Sequence, residues 1–385
     1  MRELHIAFKF EERSAATQHI LEQINKGSDV SVITGRALPK IIEPKVKHLW
    51  RRTFMALGII AYFFNRAKNR FLGVSKRVIF SSVRRNFLME NAVNLILSRQ
   101  KFDRVFIHWC GYGFLPPKSI FMLKSSCKTI VHHDWRFFTG GCHVPAKCSG
   151  FPSKCLSCPY VERPVGKRYV ENSRRLTAEN LSDSHSSHLF VSSYQKQLIQ
   201  KSLPSIRGEV RQNTLREAFL REDSAKNLYA NRRTRSDAKW IFFLGVNDEN
   251  DGNKGAWVLN WIYENTHIFK GSTLFAASCK GLAFSPDVSF NNLDSDEVFA
   301  LMSAADVVLV PSRIETFSLV AYEALRCHTP VVVFPETAPC TFGEERSLFV
   351  ARDKAPNDFA DAIVTALKAK ERKMNENWHS SAVDS

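Results

Sequence analysis

What the 385-residue chain lacks narrows it first. Its apolar run at residues 54–64 (FMALGIIAYFF) stops at 11 residues, well short of the ~18 that a membrane-spanning helix requires. The amino-terminal residues Met1, Arg2, Glu3, Leu4, His5 and Ile6 lead straight into a strand-like run, with no apolar export segment and no small-residue cleavage site, so a cytosolic protein is expected. Neither an internal repeat nor a low-complexity tract is evident. Acidic residues are scarce where basic ones are dense: residues 36–85 hold 13 Lys and Arg against one acid, Glu43, and so carry 12 of the net charge of +16. Such a balance asks for an anionic partner, whether nucleic acid, membrane surface or phosphorylated substrate.

What is present is a globular composition, 44% hydrophobic and 24% charged, in a chain long enough for two domains. The nine cysteines, an odd number, read as reduced thiols or metal ligands. The β-rich runs 4–8, 30–34, 104–108, 128–132 and 188–192 are separated by polar or helical stretches, with helical spacing at 15–25. After a charged stretch poor in large apolar residues the pattern restarts: strands at 240–244, 273–277, 307–310 and 330–334, helices at 254–266, 296–304 and 315–326. Strands alternating with helices argue parallel sheets covered on both faces, with ligand at the carboxyl ends of the strands. The expected division is an acceptor-side domain over 1–220, a linker over 221–238 and a nucleotide-binding domain over 239–385. The run 54–64, flanked by Arg51, Arg52, Arg66, Lys68 and Arg70, has two readings: a buried core helix, or a helix lying in a membrane interface with its arginines on anionic headgroups.

Two constellations carry chemistry. In the second half a buried strand over 307–310 is followed by Pro311, Ser312, an acid, Glu315, and a helix containing Glu323, and then by residues 330–333 (PVVV). A helix start offers unpaired N–H groups to a phosphate, and Glu315 and Glu323, eight positions apart, can both project towards one cleft if Glu315 stands just before the helix; two surface acids on an amphipathic helix are the alternative that the spacing alone favours. In the first half His132, His133 and Asp134 follow a buried strand, and Cys142, Cys148, Cys155 and Cys158 fall within 17 residues, ending in a Cys-x-x-Cys pair suited to tetrahedral zinc. His143 is a possible substitute for one thiol. A loop with buried free cysteines, or disulfides if the protein meets an oxidant, is the alternative.

The run from Val307 to Leu325, with Lys254-Gly255 upstream and Val210 to Leu215 and Phe219 between the halves, resembles the GT-B retaining glycosyltransferases, the large family that includes glycogen synthases and bacterial polysaccharide transferases. The stretch from His132 to Pro159 is similar to transferases of colanic acid and O-antigen gene clusters. The resemblance implies an α/β GT-B fold of two Rossmann-like, doubly wound domains facing across a cleft. It implies a hexosyltransferase-type enzyme that moves a sugar from a nucleotide diphosphate donor to a polyprenyl-diphosphate-linked glycan at the inner face of the cytoplasmic membrane, as a peripheral protein. Catalysis would need no cofactor, and a structural zinc would be separate from it. By the same carry-over Lys254 would hold the diphosphate, Glu315 the transferred sugar and Glu323 the ribose, with Ser318, Leu319 and Gly245 at the donor and His133 and Asp134 at the reacting groups. The sequence departs from the family at Val246-Asn247, where an arginine is common, at Ser318, where glycine is common, and in lacking a glycine-rich loop after the first strand. Two other functions compete: a relative that binds or epimerises a sugar nucleotide, and a basic zinc-knuckle protein that binds nucleic acid, which leaves the second half without a purpose.

Overall fold

The computed structural model describes residues 1–11, 14–76, 78–81, 84–155, 157–183, 186–216, 219, 238–244, 252–277, 281–290, 293–343 and 347–381. Gly245 and Val246-Asn247 lie outside the described residues, as does the expected linker apart from Ala238. The chain divides into two compact units, Met1–Thr214 and Leu215–Ser385, so the division falls before Leu215 rather than after residue 220. The physical reason is that Leu215 and Phe219 are core residues of the second unit, Phe219 meeting Phe299 edge to face.

Unit 1 is built on β1 (Arg2–Ala7), α1 (Ala15–Asn25), β2 (Asp29–Thr34), β3 (Lys47–His48), α2 (Arg51–Leu72), α3 (Phe87–Arg99), β4 (Arg104–Ile107), α4 (Pro117–Phe121), β5 (Lys128–His132), α5 (Pro164–Asp183), β6 (Ser187–Phe190), α6 (Ser193–Ser202) and β7 (Glu209–Val210). Its strands pair in parallel in the order β3-β2-β1-β4-β5-β6-β7. Five consecutive residues of β1 are buried, as expected of a strand covered on both faces. The helix α1 starts where Ser14 accepts from the Thr17 N–H, an N-cap that satisfies one of the orphan donors of the first turn.

Unit 2 contains β8 (Lys239–Leu244), α7 (Ala256–Asn265), β9 (Ser272–Ala277), β10 (Val288–Phe290), α8 (Ser295–Ala304), β11 (Val307–Val310), α9 (Leu319–Arg326), β12 (Val331–Val333), β13 (Leu348–Val350) and α10 (Pro356–Ser381). The sheet order is β10-β9-β8-β11-β12-β13, all parallel. The two-residue period of a strand divides its core cleanly. Trp240, Phe242, Val308, Val310, Val331 and Val333 face one layer, whereas Ile241, Phe243, Val307, Leu309 and Val332 face the other. Strand order reverses between β8 and β11, and the crevice at such a switch point is where open α/β sheets bind ligands.

Residues 54–64 lie in the helix α2, which packs on the core along one side only. It runs for 22 residues, twice the apolar run, and buries only a stripe, Phe54, Gly58, Ala61, Asn65 and Leu72. A Cβ at Gly58 would stand 2.7 Å from the Gly35 Cα, so glycine lets the helix lie directly on the chain after β2. The opposite side exposes Ile59, Ile60, Phe63, Phe64 and Phe71. Among the described residues no helix is long and apolar enough to cross a membrane.

Candidate active site

In unit 2 the carboxyl end of β11 runs into Pro311 and Ser312 and on to Glu315 before α9 begins at Leu319, so Glu315 sits ahead of the helix and not within it. This differs from the expected helix over 315–326, because Ser318 adopts a left-handed φ of 71° and breaks the helical path. Its Oγ nevertheless caps α9 by accepting from the Ala321 N–H at 3.4 Å. The preceding turn of α9, with Leu319 at its start, presents N–H groups that have no partner within the helix.

Lys254 is brought to this loop by α7. Gly255 caps that helix at φ 86°, and a Cβ there would meet the Pro311 carbonyl oxygen at 2.4 Å, so only glycine allows the two loops to close. Asn253 fastens them: its carbonyl accepts from the Arg313 N–H at 2.9 Å and its side-chain oxygen from the Ile314 N–H at 3.2 Å. The result is a 2.7 Å contact between Lys254 Nζ and Glu315 Oε1, with Glu315 mostly buried. Arg313 stacks over Trp257, 3.9 Å from the ring centroid. The structure thus brings Lys254 to Glu315, in the loop that leads through Ser318 to Leu319 at the start of α9.

Glu323 stands differently. It is 1% exposed, and both of its oxygens accept from Arg216, which donates through Nε and Nη2 at 2.5 Å each. Arg216, Asn253 and Arg313 were missed in the sequence. Arg216 lies one residue beyond the quoted interdomain run 210–215, and nothing local marks its partner.

In unit 1 His133 and Asp134 follow β5 at its carboxyl end. His133 borders a cavity of about 20 Å³ with His19, Glu22 and Arg211, and burial drives its imidazole down to about 4. It bonds His108 at 2.9 Å. His132 is structural: fully buried, it meets His188 at 3.0 Å, and burial depresses both rings, His188 to about 4. Asp134 contacts His143 Nδ1 at 2.5 Å, and Ser81 Oγ lies 2.7 Å from His143 Nε2. Burial pushes the Asp134 carboxyl up, but His143 and Arg136 outweigh it and hold it below the usual carboxylate range.

His143, named above as a substitute for one thiol, has both nitrogens engaged, by Asp134, Ser81 and the Trp109 indole N–H. Cys142, Cys155 and Cys158 share an apolar cluster with Phe80, Tyr160 and Val170. Burial raises all three thiols, Cys155 to about 11, and Cys148 is near enough to add to the effect. Among the described residues no three of the four cysteines bring their sulfurs within 4.8 Å of one another; three histidines of α1, β1 and the β4 end meet that spacing instead.

Residues 271–369 match the family described as Glycosyl transferases group 1. No curated protein matches the sequence. Among solved structures the chain is similar to sucrose-phosphate synthase from Thermosynechococcus elongatus, at 13% identity over 100% of both chains with a TM-score of 0.57. It is similar to a trehalose-6-phosphate structure from E. coli bound with UDP-2-fluoro glucose, at 11% identity over 96% of this chain and 94% of that one, TM-score 0.57. WaaG, a glycosyltransferase involved in lipopolysaccharide biosynthesis, matches at 13% identity over 96% and 90%, TM-score 0.54. The two parallel sheets with their flanking helices are those of the GT-B fold, and the match to glycosyl transferases group 1 falls on residues 271–369 of its second unit.

Proposed function

We propose that the chain is a retaining glycosyltransferase that moves a sugar from a nucleotide diphosphate donor to a polyprenyl-diphosphate-linked glycan at an anionic membrane face, in building a bacterial surface polysaccharide of the O-antigen or colanic-acid kind. The observation that carries this reading is the Lys254–Glu315 contact at the carboxyl end of β11, beside the start of α9. In this reading the diphosphate draws Lys254 Nζ away from Glu315, and the ammonium and the first-turn N–H groups of α9 stabilise charge on the departing phosphate oxygen. Glu315, released, accepts from sugar hydroxyls and fixes the ring. The acceptor oxygen bonds to the anomeric carbon on the face from which the phosphate leaves, and its proton passes to that phosphate oxygen, so no protein nucleophile is needed.

UDP-sugars are the first donors to test, given the UDP-2-fluoro glucose in one structural neighbour. WaaG, by its lipopolysaccharide role, supports a lipid-linked acceptor. The exposed apolar side of α2 amid the basic segment supports a peripheral membrane position. A zinc on Cys142, Cys148, Cys155 and Cys158 belongs to this proposal as a structural element only.

The deciding experiment pairs a thermal-shift screen of UDP-, GDP-, ADP- and dTDP-sugars with transfer assays of wild type and Glu315→Gln. A donor raises the melting temperature of both proteins, and the variant loses roughly 10²–10³-fold in turnover. Equal turnover would end the donor-site assignment.

A further inference from the structure

The layer between the unit 1 sheet and α1 should be apolar, as it is farther along the same helix, where Ile20 packs on Val30 and Val32. At β1 and β4 it is filled instead by Glu3, His5, His19 and His108, each of them 7% exposed or less. Burying so many polar groups is costly unless they serve one another or a ligand. Their nitrogens are aligned for a shared task. His5 Nδ1 and His108 Nε2 face each other at 3.0 Å, and His5, His19 and His108 each place a ring nitrogen within 4.8 Å of the others. Two imidazoles on one tetrahedral zinc hold their nitrogens about 3.3 Å apart.

The far side of each ring is held as well. His5 Nε2 lies 3.3 Å from Glu3 Oε2, and His108 Nδ1 lies 2.9 Å from His133 Nε2. A metal-binding imidazole ordinarily gives its second nitrogen to a carboxylate or another acceptor, which fixes ring and tautomer. Glu3 keeps one oxygen, Oε1, buried without a hydrogen-bond partner beside the cluster. Arg211 donates to His19 Nε2 at 3.1 Å and is balanced by Glu22 at 2.8 Å. A cavity of about 320 Å³ is bordered by Glu3, Glu22 and Gln23, on the Glu3 side of the cluster.

We propose that His5, His19 and His108 bind one divalent transition-metal ion of the zinc class, with Glu3 and His133 orienting the rings from behind. The ion replaces the proton that bridges His5 Nδ1 and His108 Nε2. That proton moves to His108 Nδ1, which donates to His133 Nε2, and His133 then carries its own proton at Nδ1. His19 gives up the bond from Arg211, binds through Nε2 and keeps its proton at Nδ1, so no proton is lost, and the ion sets the tautomer of His133.

The test uses the full chain, stripped with a chelator and titrated with Co²⁺ as a spectroscopic probe, with Zn²⁺ as competitor. One equivalent of Co²⁺ should give visible ligand-field bands without thiolate charge transfer, and Zn²⁺ should abolish them and raise the melting temperature. His5→Gln and His108→Gln should lose the bands. Should those variants fail to fold, Glu3→Gln keeps the shape of the side chain and should weaken Co²⁺ binding about tenfold or more. A variant with Cys142, Cys148, Cys155 and Cys158 all changed to Ser should keep the bands. Folded wild type without bands, bands unchanged by Glu3→Gln and the histidine changes, or bands that vanish with the cysteines would each overturn the assignment.

Discussion

Ser318 sits at a φ of 71°, where a Cβ is strained, and still caps α9. Glycine would relieve about 1 kcal/mol of strain and give up only a few tenths as a cap, so Ser318→Gly should stabilise the protein slightly in urea unfolding. Ser318→Val, which keeps the strain and loses the cap, should cost about 2 kcal/mol or more. Glu323 carries a different lesson. Because Arg216 spans both its oxygens in a buried pair, Glu323→Gln leaves a guanidinium uncompensated and should cost roughly 3–5 kcal/mol. A fall in nucleotide affinity in that variant is therefore to be measured at a temperature where circular dichroism shows it folded. Lys254 and Glu315 were singled out in the sequence because they stand in runs that resemble the glycosyltransferase family. Arg216 was not, since its partner lies 107 residues away.

The helix α2 shows why a helix can be legible while its faces are not. Nothing polar interrupts residues 54–64, so no periodicity separates the side that packs from the side that does not. The structure separates them: Phe54 is 0% exposed, Phe64 74%. Phe54→Asp should unfold unit 1, whereas Ile59→Asp, at 45% exposure, should leave it folded and weaken attachment to phosphatidylglycerol vesicles. Changing Arg51, Arg52, Arg66 and Arg70 to Gln should release the protein from those vesicles, at roughly 1 kcal/mol per base, and raised salt should imitate the change. Co-sedimentation that ignores both salt and the four changes would remove the electrostatic anchor. Helix starts were read within a residue or two at α1, α7 and α8, but four residues early at α9, where a left-handed serine ends the loop.

For the molecule as a whole, the alternation of apolar runs and helical spacing was sufficient to expect two parallel α/β units, because strands buried on both faces read as continuous Val, Ile and Phe. The histidine layer of unit 1 was not legible, since its members come from β1, α1 and the end of β4, and only the sheet order brings them side by side. Buried histidines also set the acid limit of the fold. His188 is free to protonate near 6.5 when unfolded but only near 4 when folded, so stability is full above about pH 6.5 and is lost as pH falls towards 4. That shift amounts to roughly 3 kcal/mol, and His188→Gln should flatten the dependence of melting temperature on pH across this window. The Arg216–Glu323 pair acts on another timescale, that of synthesis. At 5–20 residues per second the ribosome delivers Arg216 about 5 to 20 s before the carboxylate that neutralises it, 107 positions later. Unit 1 is complete by then, while unit 2 waits with a guanidinium it cannot yet bury, so a nascent chain stalled before Glu323 should hold a folded first unit and a protease-sensitive remainder.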